Sequence, residues 1–171
     1  METDAFIGGL RERLEADGHA EDTVLMLFTD HYCKYFSDAE FISAIKGETD
    51  RNMLSNVPFV IWTEGIAPQV YDKYVSTMDI APTVVDLFSL DADLRYYIGN
   101  DMFGPDGGVV YFRNYAWYDG KTYDTGNDAS SNPAVLAMRE QVREQLDVSQ
   151  DTFRYDYFAC LQRRGILNPD E

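Results

Sequence analysis

One stretch constrains this chain more than any other: Val24-Leu25-Met26-Leu27-Phe28, followed at once by Thr29-Asp30-His31-Tyr32. The apolar run is too short for an ordinary helix. Between polar flanks it reads as a strand buried on both faces of a sheet. Asp30 and His31 then stand at the carboxyl end of that strand, where open α/β sheets gather their ligands. A carboxylate oxygen beside an imidazole nitrogen suits a divalent metal. The same pair has a plainer reading, with Asp30 capping a turn and His31 a polar residue satisfied nearby.

The remainder of the sequence alternates helical and extended patterns, which makes the class α/β. Phe6, Ile7, Leu10 and Leu14 fall at helical spacing over residues 3–17, with Gly18 as the stop. His19 follows as an exposed loop residue. Residues 37–46 read as a short capped helix with Phe41, Ile42 and Ile45 facing inward. Val57–Trp62 is a second apolar strand, with Pro58 tolerated only at its start or on an edge. Residues 76–88 read as a helix capped by Ser76 or Thr77, with Pro82 in its first turn. Ile80, Val84, Leu87 and Phe88 are its expected core face, and Asp79 is a cap. Residues 109–113 and 115–118 read as strands. Asp119-Gly120 is a hairpin turn leading to a return strand at 121–123. Pro133 opens a helix to about Leu146, and Ser149 caps a last one with Phe153, Tyr157, Phe158 and Leu161 inward.

At 171 residues the chain is one domain or a large part of one, and its 12 Tyr and 10 Phe supply ample core material. The net charge of −16 argues against nucleic acid and anionic membrane surfaces as partners. Cys33 and Cys160 are too far apart in sequence to read as a disulfide framework, and both are taken as free thiols. No apolar run is long enough to cross a membrane, and no signal peptide is read.

Several segments, in order, resemble one family. Thr23–Tyr32 is similar to the strand and Gly-Asp-His-Tyr loop of the sulfatase and alkaline-phosphatase superfamily, with the lipoteichoic acid synthase type of phosphoglycerol transferase as the nearest match. Val57–Trp62 resembles the strand that follows, with Glu64-Gly65 in place of Pro-Gly. Ser76–Leu87 resembles its Ser-x-x-Asp-Ile-x-Pro-Thr helix start, and 98–103 its Gly-x-Asp-Leu turn. Residues 109–123 resemble its strand pair bearing Phe-Arg-Asn-Gly, and 149–157 its closing helix. The chain departs at Thr29, where the family usually has Gly, and at Cys33-Lys34, where Gly is common.

The resemblance implies the C-terminal portion of an alkaline-phosphatase-like α/β/α sandwich over residues 1–171, with a mixed sheet, a late β-hairpin and C-terminal helices. It implies Asp30 and His31 as metal ligands and Tyr32 beside the substrate phosphate. The implied cofactor is a divalent metal, Mn2+ first, with Mg2+, Ca2+ or Zn2+ as alternatives. No catalytic nucleophile is expected in this chain. Thr23 and Thr29 are the nearby threonines, and neither is assigned that role. The implied partners are the remainder of the catalytic domain upstream and a lipid- or glycan-linked phosphoglycerol substrate. The whole protein is expected at the extracellular face of the cell membrane. An open strand edge leads to the further expectation of self-association. Two other readings stay open: a structural subdomain without chemistry, and a binding module for glycans or glycerophosphate polymers through the Tyr- and Trp-rich hairpin.

Overall fold

The computed structural model describes residues 2–30 and 38–167. They divide into two compact units, residues 1–71 and 72–171. The class is α/β, and the strand pairs formed are antiparallel.

In residues 1–71 the first element is helix α1, Glu2–Ala16. Glu2 and Asp4 complement the dipole in its first turn and Arg13 in its last. Gly18 ends it in the left-handed region at φ 74, and the N–H of His19 turns back to the carbonyl of Leu14 at 2.8 Å. The expected inner face is only half realised. Ile7, Leu10 and Leu14 are half-buried, while Phe6 is 69% exposed. The apolar stripe is thin, and Gly8 and Gly9 add no side chain to widen it.

Strand β1, Val24–Leu27, pairs with β2, Val60–Thr63, in the register Val24–Thr63 to Leu27–Val60. This corrects the expectation of a strand buried on both faces. All four residues of β1 are half-buried, because a two-stranded ribbon gives each strand one neighbour and one open edge. Helix α2, Ala39–Lys46, begins where the Asp38 carboxylate accepts the N–H of Phe41 at 3.0 Å, and stops at Gly47 with φ 64. Here too the inner face is corrected. Ile42 is half-buried, but Phe41 and Ile45 are exposed.

In residues 72–171 the Ser76 cap is a full capping box. Its hydroxyl accepts from the first turn, while the Asp79 carboxylate accepts the backbone N–H of Ser76 at 2.7 Å. A 3-10 turn over Thr77–Asp79 then runs into helix α3, Ile80–Leu87. The buried side is Pro82, Thr83 and Val85, whereas Leu87 and Phe88 are exposed. A short helix entered through a 3-10 turn carries its buried side around by about one position relative to a continuous α pattern.

The loop after α3 is fastened to its start. Asn100 N–H donates to the Asp79 carboxylate at 2.8 Å, and Met102 N–H to the Thr83 hydroxyl at 2.9 Å. Gly99 lies so close to Met78 that an added Cβ would sit 2.0 Å from its carbonyl oxygen. Only glycine permits that approach.

A three-stranded meander follows: β3 Val110–Tyr111, β4 Trp117–Tyr118 and β5 Tyr123–Asp124. Asp119-Gly120 makes the predicted turn, with Gly120 at φ 89 and the Asp119 carboxylate accepting from Lys121 and Thr122. Those amides hold the Asp119 carboxyl below its usual range.

Helix α4, Pro133–Arg154, is capped by Asn132 and starts with Pro133 as expected. It does not break at Ser149. It runs on to Arg154, Asp156 then adopts φ 49, and α5 covers Tyr157–Arg163. Serine inside a helix is only mildly unfavourable, so the Ser149 cap signal loses to a continuous helical run. The expected inner face survives at Leu161, which is buried, while Phe153 is 85% exposed. Gly165, at φ 66, closes α5.

Candidate functional site

Asp30 follows β1 by three residues and is exposed. The antiparallel register places the start of β2 beside the end of β1, with Leu27 opposite Val60. Just beyond that pair, the rings of Phe28 and Phe59 lie 6.1 Å apart at 38°. This aromatic brace fixes where the chain leaves the ribbon before Asp30. Thr23 opens β1 at the opposite end, its hydroxyl donating to the carbonyl of His19 at 2.7 Å. It is thereby separated from Asp30 by the length of the strand.

His31, Tyr32 and Cys33 lie outside the described residues. Among the described residues no three His, Cys, Asp or Glu side chains gather as a metal site. The donor chemistry that fits a divalent ion here is the exposed Asp30 carboxylate together with the imidazole next to it in sequence. Cys160 is a half-buried free thiol.

The loop feeding β2 is more ordered than its polar composition suggests. Lys46, the last residue of α2, donates its ammonium to the carbonyls of Leu54 at 2.8 Å and Asn56 at 2.5 Å. The Glu48 carboxylate accepts the N–H groups of Thr49 and Asp50. That of Asp50 accepts from Asn52 and Met53. Sequence reading treats residues 47–56 as a plain polar loop. The Asp50-x-Asn52 spacing of an Asx turn was the available signal.

In the second unit the hairpin tryptophan is packed inside. Trp117 is 2% exposed, and its indole N–H donates to the Asp124 carboxylate at 3.0 Å. Arg139 grips the same carboxylate with two bonds of 2.7 Å. The guanidinium holds the Asp124 carboxyl below its usual range. Asp124 and Arg139 are fifteen positions apart, and no local pattern links them. Arg113 is exposed, and Asp79 is a buried cap.

Tyr74, Tyr118, Tyr123 and Phe112 form a chain of rings, edge to face at 75–86°.

A family model described as Sulfatase matches residues 1–90, more than half of the chain. The chain belongs to the sulfatase family. The match takes in Asp30, the β1–β2 ribbon and the Ser76–Asp79 cap of α3. The chain is also similar to Lipoteichoic acid synthase 2 of Bacillus subtilis (strain 168), at 23% identity over 175 residues. That alignment takes in 92% of this chain and 27% of the relative. With Lipoteichoic acid synthase of Staphylococcus aureus (strain USA300) the identity is 26%, over 92% of this chain and 26% of the relative. The chain thus spans about a quarter of the length of these curated relatives. Among the described residues no helix is long and apolar enough to cross a membrane.

Proposed function

We propose that these residues are the C-terminal part of the catalytic domain of a metal-dependent phosphoglycerol transferase. Asp30 and His31 are two of its metal ligands. The observation that carries this reading is the position of Asp30: exposed, at the carboxyl end of β1, inside the stretch that matches the sulfatase family. The similarity to lipoteichoic acid synthases supports phosphoglycerol transfer rather than sulfate ester cleavage.

Asp30 offers a hard carboxylate oxygen and His31 a borderline nitrogen, a set that suits Mn2+, with Mg2+, Ca2+ or Zn2+ as weaker fits. A divalent ion held there would supply positive charge to the oxygens of a transferring phosphoryl group. Tyr32 is placed next in sequence to donate its hydroxyl to one of those oxygens. The nucleophile and the remaining ligands come from polypeptide outside these residues, which is the partner this chain requires. The substrate is a lipid- or glycan-linked phosphoglycerol, met at the extracellular face of the membrane.

The test is turnover of a phosphoglycerol donor by the complete catalytic domain with Mn2+, with and without an alcohol acceptor. Asp30→Ala and His31→Ala are each expected to lower kcat by about a hundredfold or more, since each removes a ligand directly. Wild-type turnover in both variants would overturn the assignment. Product formation that ignores the acceptor would replace the transferase with a hydrolase.

A further inference from the structure

The chain has three Asp-Gly links, Asp17-Gly18, Asp106-Gly107 and Asp119-Gly120, and each is held differently. Such links are chemically special. Glycine puts no Cβ beside its own nitrogen, so that nitrogen can reach the side-chain carbonyl carbon of the preceding aspartate. We infer that Asp106-Gly107 is a self-modifying link, in which the Gly107 nitrogen closes on Cγ of Asp106 and the main chain passes through a succinimide ring to an isoaspartyl bond.

Two of the links are blocked. At Asp17-Gly18 the nitrogen is engaged. The Gly18 N–H donates to the carbonyl of Glu15 at 3.2 Å in the stop of α1, and must leave that bond before it can turn on the side chain. At Asp119-Gly120 the carboxylate is engaged. One of its oxygens accepts the N–H groups of Lys121 at 2.8 Å and Thr122 at 2.6 Å. Those bonds aim the group into its own turn and keep it ionised. An ionised carboxylate is a poor electrophile, because the oxygen that must leave carries the charge. The ring of Tyr74 also covers Gly120, where an added Cβ would sit 2.9 Å from it.

Asp106-Gly107 is open and activated. Both residues are exposed. The half-buried Lys73 donates its ammonium to the main-chain carbonyls of Gly104, at 2.9 Å, and of Asp106. The second carbonyl belongs to the same peptide unit as the Gly107 nitrogen. A cation on that oxygen stabilises the charge left when the N–H ionises, so more of the reactive nitrogen anion forms. The bond to Gly104 keeps the ammonium in place. Gly107 and Gly108, both at φ 84, carry no side chain to crowd the ring.

The step balances without a co-reactant. The N–Cγ bond forms and the Cγ–O bond of the protonated carboxyl breaks. The amide proton and the hydroxyl depart as one water. Water then opens the ring at either carbonyl. Attack at Cγ restores aspartate, and attack at the main-chain carbonyl leaves the chain running through Cγ. The product keeps its composition and charge but gains one methylene in the main chain, between the Lys73 anchor at Gly104 and β3. None of this depends on the transferase reading.

The experiment ages the 171-residue chain at about pH 5, where a share of aspartate side chains is protonated, both native and in urea. Digestion with a protease that cuts before aspartate but not before isoaspartate, followed by mass spectrometry, reads each link. In the native chain isoaspartate should accumulate at 106 about tenfold or more faster than at 17 or 119, whereas in urea the three rates should converge. Lys73→Met keeps the apolar stem and removes the ammonium. It should slow the reaction at 106 about fivefold and leave 17 and 119 unchanged. Lys73→Arg keeps the charge and should restore most of the rate. A native chain in which 106 reacts no faster than the other two links would overturn the inference. So would a Lys73→Met chain that reacts at 106 as fast as the wild type or faster, since the tie would then be a restraint and not an activator.

Discussion

Among the described residues, residues 1–71 bury only Ala20 and Leu54 of their apolar side chains, while residues 72–171 close over Val85, Met102, Ala116, Trp117, Val142 and Leu161. The polar groups differ in the same sense. In the first unit Asp38, Glu48 and Asp50 satisfy backbone amides within three residues of themselves. In the second, Asp79 reaches Asn100, Thr83 reaches Met102 and Asp124 reaches Arg139. Beside the β1–β2 ribbon, these carboxylates of the first unit serve local caps, whereas those of the second also make long-range ties within an apolar core. The candidate metal ligand, Asp30, lies in the thinly packed unit. A region with few buried contacts opens at low free energy, and a ligand that binds only its closed form stabilises it.

The sharpest way to break this comparison uses the two tryptophans, one in each unit. Trp117 is buried in β4, while Trp62 is half-buried in β2. Trp117→Ala should cost about 4 kcal/mol, through lost area, a cavity and the loss of one hydrogen bond to the Asp124 carboxylate, which keeps Arg139. Trp62→Ala should cost roughly half of that or less, since much of its surface stays in water. Urea denaturation followed by far-UV circular dichroism compares them. Equal losses would mean that the ribbon is packed as tightly as the meander, and the contrast would fail.

A smaller effect sharpens the second half of the comparison. Replacing Asp124 by Asn removes the charge from its contact with Arg139 and should cost roughly 2 kcal/mol at neutral pH. This is below the range for fully buried pairs, because Arg139 keeps a fifth of its side chain in water. The sign of the pH dependence follows from the lowered carboxyl pKa. The stabilisation is fully present above the usual aspartate value and is lost as pH falls through the depressed one. Wild-type stability should therefore fall more steeply than that of Asp124→Asn on acidification below about pH 4. Parallel acid profiles would show that the ion pair contributes nothing to the second unit.

Much of this contrast is legible in the sequence wherever it is local. The Ser76 cap, the Pro133 helix start, the Asp119-Gly120 turn, the two apolar strands and the Gly18 stop all follow from residue type and near neighbours. Long-range features are not legible in this way. Nothing near Asp124 points to Arg139, and nothing near Gly99 points to the Met78 carbonyl. Burial is the weakest inference, because Phe6, Ile45 and Phe153 sit in correct helical patterns yet remain exposed. Periodicity says which face is apolar, not whether anything covers it. Tyr115 shows a local rule overridden. It adopts φ 64 in the turn after Arg113-Asn114, where the resembling motif carries Gly, and its hydroxyl bonds Asp147 at 2.7 Å.

The smallest predicted effect tests whether the first unit depends on its caps. The Asp38 carboxylate accepts the N–H of Phe41 and opens α2, a helix of eight residues with none buried. A helix that short has little intrinsic stability, and packing adds little here, so the cap should matter more than its modest energy suggests. Asp38→Ala is expected to cost about 1 kcal/mol. Its effect should be concentrated in faster hydrogen exchange at Phe41 and Ile42. Because α2 delivers Lys46 to the carbonyls of Leu54 and Asn56, exchange across residues 47–56 should rise with it. If that loop keeps its protection while α2 frays, then Glu48 and Asp50 alone hold it, and the first unit is a set of independent turns rather than a chain of caps.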